Sequence, residues 1–166
     1  MIELIRDRAL RDRIVAVWQE LWAASEFTDI GDVPTSGSIP YPNLPHSRAV
    51  LSLCVKQVYS IELEPALATQ AIERLRRLGY TNVVTKQGDG YEGWPDRAPF
   101  DRVILTAAPP RIPQALIDQL APGGILVAPE GDRTSQELVV IKKDRNGQVS
   151  RRAVTPVMFV PMRKAA

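Results

Sequence analysis

The sequence predicts an α/β fold, a mostly parallel sheet closed by a C-terminal antiparallel hairpin. Three observations point to it. From Val58 onward, strand-like and helix-like runs alternate as strand, helix, strand, loop, strand, helix, strand, the pattern of βαβ units. The apolar run Val58–Ile61 ends on an acid, Glu62, just before a helical pattern begins. In doubly wound sheets that strand edge is where ligands bind, and an acid there commonly holds ribose hydroxyls. Finally, Asn146-Gly147 separates two strand-like runs, a strong short-range hairpin signal.

Taken in order, residues 2–24 read as a helix, because Leu10, Ile14, Val17, Trp18 and Leu21 fall at helical spacing among Arg and Asp. Residues 25–47 are rich in Ser, Thr, Asp, Gly and Pro. Pro34, Pro40, Pro42 and Pro45 forbid a helix or a central strand there, leaving a long irregular loop. Ser47–Val55 reads as an apolar helix, and the Val58–Ile61 strand follows. Pro65 then starts a helix over Ala66–Leu78 that Gly79 ends. A short strand at Asn82–Thr85 leads to Gly88-Asp89-Gly90 and a polar loop with Trp94 and Pro95. Phe100-Asp101-Arg102 opens the strand Val103–Thr106, Ala107-Ala108-Pro109-Pro110 turns, and Ile112–Leu120 is a short helix. Pro122-Gly123-Gly124 turns the chain into the strand Ile125–Ala128. Glu137–Lys142 and Gln148–Pro161 form the closing hairpin. The expectation is a single domain over 1–166, with 1–47 an atypical helix and Pro-rich loop and 48–166 the core.

Composition bounds the function. A length of 166 residues, 45% of them apolar and 24% charged, describes one soluble globular domain. A net charge of +2 favours neither nucleic acid nor a membrane surface as a partner. A lone cysteine, Cys54, in an apolar run excludes a disulfide framework, and a lone histidine, His46, cannot build a His-rich metal site. No metal is expected. No run approaches the roughly 20 apolar residues of a membrane span, and no signal peptide opens the chain, so a cytoplasmic location is expected. His46 reads as a loop-surface residue, Cys54 as core, and Trp18, Trp22 and Trp94 as packing.

The chemistry-bearing positions sit after three strands: Glu62 after one, Asp89 between two glycines after the next, and Thr106-Ala107-Ala108 after the third. Glycines let backbone approach a base closely, and small residues after the third strand leave room for a ligand. Each part alone has a plainer explanation. Glu62 would serve equally as a helix N-cap partner, and Gly88-Asp89-Gly90 as an ordinary turn. Asp101 would serve as a cap or ion-pair partner, and Gly123-Gly124 as a tight turn.

Taken together, these runs resemble a known family. Val58-Tyr59-Ser60-Ile61-Glu62, Gly88-Asp89-Gly90-Tyr91-Glu92-Gly93, Pro99 through Ala108, Leu120-Ala121-Pro122-Gly123-Gly124 and Phe159-Val160-Pro161 are similar to the protein-L-isoaspartate O-methyltransferases, from about Ala49 to Met162. The resemblance implies a Rossmann-like methyltransferase sheet and S-adenosyl-L-methionine as cofactor. It also implies methyl transfer to the carboxylate of isoaspartyl residues in damaged proteins or peptides, whose esters then close to a succinimide and begin repair. Carried over by position, it implies that Glu62 binds the ribose and that Gly88, Asp89 and Gly90 serve the adenine side. Thr106 and Ala107 would lie near the methionine end. A carboxylate is already a nucleophile, so no general base is implied and no catalytic residue is singled out.

One departure stands out. The family's glycine-rich loop follows its first strand, yet here no glycine occurs between Gly37 and Gly79, and Pro42-Asn43-Leu44-Pro45-His46-Ser47 stands in its place. The first strand is therefore expected to be lost or replaced. Its neighbours must pair directly, recruit another segment, or leave edges open. Asp29–Val33 is the local substitute, and a strand from a second copy of the chain, making a homo-oligomer, is another. On the acceptor side Ser38-Ile39-Pro40-Tyr41-Pro42 faintly resembles the family's substrate-side run, with Pro40 where a serine would be. Two other functions compete. One is a catalytically impaired remnant acting as a binding or oligomerising module, motivated by the missing loop. The other is a methyltransferase for a nucleic acid or small molecule, against which stands the lack of a basic stripe interleaved with aromatics.

Overall fold

The computed structural model describes residues 2–5 and 51–165. The elements are β1 (Ile2–Ile5), β2 (Val58–Glu62), α1 (Pro65–Arg77), β3 (Val83–Gln87), β4 (Phe100–Leu105), α2 (Gln114–Asp118), β5 (Leu120–Gly131), β6 (Gln136–Lys143) and β7 (Val149–Pro156). One seven-stranded sheet runs in the order β3-β2-β1-β4-β5-β6-β7. β2 and β3 are parallel, as are β4 and β5, whereas β5, β6 and β7 are joined antiparallel.

The centre of the sheet corrects the reading of residues 2–24 as a helix. Ile2–Ile5 is a strand, antiparallel to both neighbours, with Ile2 opposite Ile61 on one side and Leu105 on the other. The missing first strand is thus replaced by a recruited segment of the same chain. The physical reason is backbone accounting. β2 and β4 each present a row of N–H and C=O groups to the gap between them, and Ile-Glu-Leu-Ile satisfies both rows. Antiparallel direction has a consequence for the site. Ile2 lies at the C-terminal edge of β2 and β4, while Ile5, where the chain runs on, lies opposite Val58 and Arg102 at the other edge. The rest of the expected first helix, the Asp29–Val33 strand, the loop through His46 and the run at Ser38 lie outside the described residues, as do Trp18 and Trp22.

α1 shows its sequence signals directly. Pro65 stands in the first turn, Arg74, Arg76 and Arg77 lie in the last turn against the negative end of the helix dipole, and Gly79 follows at φ 80°. The N–H of Gly79 donates to Arg76 O at 3.1 Å and that of Tyr80 to Leu75 O at 3.0 Å, a paired helix stop that needs the left-handed glycine. Ala68 and Leu75 are the buried face. Residues 51–54 are helical, as expected, and Asn82 fastens them to the sheet. Its Nδ2 donates to Ser52 O at 2.7 Å and Val55 O at 2.9 Å. Asn82 therefore precedes β3 as a clamp and is not its first residue, as the sequence suggested.

The alternation of β2 and β4 sorts their side chains to two apolar clusters. Tyr59, Ile61, Val103 and Leu105 join Ile2, Phe100, Leu116, Leu126 and Val139 in the larger one. Val58 joins Leu51, Cys54 and Val55 in the smaller, where Ile104 packs. Pro122-Gly123-Gly124 sits within β5. Phe100 pairs with Leu120 and Arg102 with Ile125, so the expected turn is an irregularity in a continuing strand. The hairpin loop is longer than the Asn146-Gly147 pair. Asp144 Oδ1 accepts the N–H groups of Asn146 and Gln148, both at 2.8 Å, and β7 ends at Pro156, short of the expected Pro161. Among the described residues no helix is long and apolar enough to cross a membrane.

Candidate functional site

Three strands end at one edge of the sheet, and a cleft of about 200 Å³ opens there. One wall is the end of β2 and the start of α1, with Glu62, Glu64 and Leu67. Gly90, after β3, and Ala107, after β4, border it, and Val160–Arg163 of the C-terminal tail line it as well.

Glu62 is 9% exposed at the end of a fully buried strand. Its Oε1 accepts the N–H of Glu64 at 3.2 Å, and its backbone carbonyl accepts the N–H of Gly88 at 3.0 Å. The first contact orients the carboxylate at the start of α1, so the helix-partner role and a place in the cleft are both real. The second ties the end of β2 to the Gly88–Gly90 turn. Gly90 is a point of close approach: a Cβ there would lie 2.8 Å from Ile2 Cδ1 and 2.9 Å from Met162 Cε. Glycine is the residue that lets the turn, the central strand and the tail meet.

Of the residues singled out in the sequence, Glu62, Gly90 and Ala107 line the cleft. Gly88, Asp89 and Thr106 are adjacent to it in the chain and do not line it. Asp89 makes two contacts with its own chain. Oδ1 accepts the N–H of Tyr91 at 2.8 Å, and Oδ2 accepts that of Ala165 at 3.0 Å. A carboxylate offers about four acceptor positions, so each oxygen retains capacity for another donor. Tyr91 extends the same link, its hydroxyl donating to Met162 O at 3.3 Å. Burial, then the charge of Asp89, pushes the Tyr91 phenol above its ordinary value.

The tail is what sequence reasoning missed as part of the site. Ala108 N–H donates to Val160 O and Met162 N–H to Ala108 O, both at 2.8 Å, a short parallel pairing that brings the tail across the strand ends. The one signal for it was Phe159-Val160-Pro161, read as a family run with no position attached. Among the described residues no group of three His, Cys, Asp or Glu side chains is placed to hold a metal ion.

The sheet and this edge define a Rossmann-like methyltransferase fold. The matching solved structures agree. A protein-L-isoaspartate O-methyltransferase superposes with a TM-score of 0.63 at 26% identity, over 68% of this chain and 37% of that one. The chain described as that of Plasmodium falciparum in complex with S-adenosyl-L-homocysteine superposes at 0.59 and 22% identity, over 70% and 62%. The model of the protein-L-isoaspartate(D-aspartate) O-methyltransferase family matches residues 45–166. The chain belongs to that family. Protein-L-isoaspartate O-methyltransferase 2 of Syntrophobacter fumaroxidans is 42% identical over 150 residues, covering 90% of this chain and 58% of that protein. This chain spans about half the length of the curated relatives it matches.

The residues present fit the adenosine part of a nucleoside cofactor. A carboxylate held at the C-terminal strand edge is the acceptor that a ribose diol needs, and a glycine, Gly90, borders the same cleft. The volume is below the roughly 300–1,000 Å³ usual for complete ligand pockets.

Proposed function

We propose that this protein transfers a methyl group from S-adenosyl-L-methionine to the carboxylate of isoaspartyl residues in damaged proteins or peptides. One observation carries the reading. In a member of this family, the ends of β2, β3 and β4 border one cleft, and that cleft holds the buried carboxylate of Glu62.

The cofactor supplies a methyl group made electrophilic by its sulfonium. Glu62 would accept hydrogen bonds from the ribose hydroxyls, with its carboxylate oriented by the Glu64 N–H. Gly88, Asp89 and Gly90 would serve the adenine side: Gly90 lines the cleft, and Asp89, next to it in the chain, would offer an acceptor to an exocyclic amine. Thr106 and Ala107, after β4, would serve the methionine end, with Ala107 in the lining of the cleft and Thr106 next to it in the chain. The acceptor is a carboxylate, already a nucleophile at neutral pH, so no residue of this chain would have to move a proton and no general base is required. The protein's work is alignment of donor and acceptor.

Calorimetric titration with S-adenosyl-L-homocysteine tests the site. Glu62→Ala should weaken binding about ten- to a hundredfold, the loss expected when hydrogen bonds to a charged group are removed. Unchanged affinity would remove Glu62 from the site. Methyl transfer to an isoaspartyl peptide, and none to its aspartyl twin, tests the substrate.

A second reading, an impaired family member kept as a binding module, is favoured by the antiparallel β1. It places Ile2 where a loop following a parallel first strand would reach the cofactor. Ligand binding without measurable transfer would select it.

A further inference from the structure

The tail reaches the cleft by leaving one part of the sheet for another, and a single buried side chain stands at the crossing. Gln136 opens β6 and is 5% exposed. Its backbone carbonyl accepts the N–H of Val157 at 3.0 Å, just beyond the end of β7. Its side-chain amide then takes over. Oε1 accepts the N–H of Phe159 at 2.7 Å, and Nε2 donates to Phe159 O at 3.0 Å and to Asp132 O at 2.9 Å. The amide thus binds both polar groups of one residue, as a neighbouring strand would. Directly after Phe159 the chain changes partner. Val160 and Met162 pair with Ala108 beyond β4, and Val160–Arg163 line the same cleft as Glu62.

We propose that Gln136 is a positioning residue for the ligand site, holding Phe159 so that the tail forms a wall of the cleft that Glu62 also lines. This rests on the cofactor reading above. Free of Gln136, Phe159 has no fixed point from which residues 160–163 can meet Ala108, because β7 has already ended. A side-chain amide suits the task, since it alone among the uncharged side chains offers a carbonyl acceptor and two N–H donors together.

Two measurements on Gln136→Ala, Gln136→Glu and Val139→Ala test this. Val139 is fully buried in β6 and lines no part of the cleft, so it controls for general destabilisation. By hydrogen exchange, Gln136→Ala should speed exchange of the Ala108 and Met162 amides at least about tenfold and leave that of Leu126 unchanged, as local opening requires. By calorimetry, its affinity for S-adenosyl-L-homocysteine should fall about tenfold, as for loss of a buried hydrogen-bonded anchor. Gln136→Glu keeps the acceptor for the Phe159 N–H but sets a carboxylate oxygen against the carbonyls of Asp132 and Phe159, so its affinity should fall at least as far as that of Gln136→Ala. Val139→Ala should leave affinity within about twofold. Unchanged Ala108 and Met162 exchange in Gln136→Ala overturns the proposal. So does faster exchange with unchanged affinity, or an equal affinity loss in Val139→Ala. Should the unaltered protein bind no S-adenosyl-L-homocysteine, the cofactor reading falls, and exchange alone decides whether Gln136 holds the tail.

Discussion

Glu62, Tyr91 and Thr85 show how differently single positions can be read. Glu62 was legible because a charge closing an apolar strand is out of place unless it meets a helix start or a ligand. Tyr91 was not, since nothing near it in sequence reveals that its hydroxyl meets Met162. Its phenol is held above the ordinary 10.0 by burial first and by Asp89 second, so the fold favours the neutral form. That contribution is complete below the ordinary value and is lost as pH rises through the raised one. Urea unfolding above pH 10 should therefore show the unaltered protein losing stability relative to Tyr91→Phe, with no such divergence at pH 8. Thr85, in β3, is the counterpart: its buried hydroxyl has no hydrogen-bond partner among the described residues. Thr85→Val keeps the shape and removes the unmet group, so unfolding free energy should rise by about 1 kcal/mol. A fall would mean that the hydroxyl is satisfied in solution.

At the scale of elements, the helix and strand periods held wherever one face meets the core along a whole run. α1, β2, β3, β4 and β6 fall within a few residues of expectation, because caps and alternation are local signals. By contrast, β5 starts at Leu120 rather than Ile125, and β7 stops at Pro156 rather than Pro161. The failure at the centre of the sheet has a long-range cause. Ile2–Ile5 is four residues long, and nothing within those four distinguishes a strand from the first turn of the helical pattern that follows. The choice is made by the open edges of β2 and β4, more than fifty positions away in the chain. Ile2 is fully buried between them, so Ile2→Ala should cost about 2–5 kcal/mol in urea unfolding, as large-to-small core changes do. A cost under about 0.5 kcal/mol, typical of a surface site, would remove β1 from the centre of the sheet.

For the molecule as a whole, replacement of the first strand sets the terms of function. A parallel strand would carry the chain out at the cofactor edge, whereas β1 carries it out at the opposite edge. The described cleft of about 200 Å³ and the absence of glycine between Gly37 and Gly79 both favour a hold on the adenosine half. Adenosine and S-adenosyl-L-homocysteine should accordingly bind with affinities within about tenfold of each other, since the additional amino-acid end gains few contacts. A difference of a thousandfold by calorimetry would show that the methionine end is gripped after all.

The amino-acid sequence by itself determined the family, the βαβ order from Val58, the acid at the end of β2 and the glycine-flanked turn after β3. All of these rest on contacts between near neighbours or on runs that name themselves. Only the tertiary structure decided what fills the centre of the sheet, that the tail forms one wall of the cleft, and that Gln136 holds it there. Those outcomes depend on unmet backbone groups of distant segments finding one another, and no local stretch encodes which partner will be in reach.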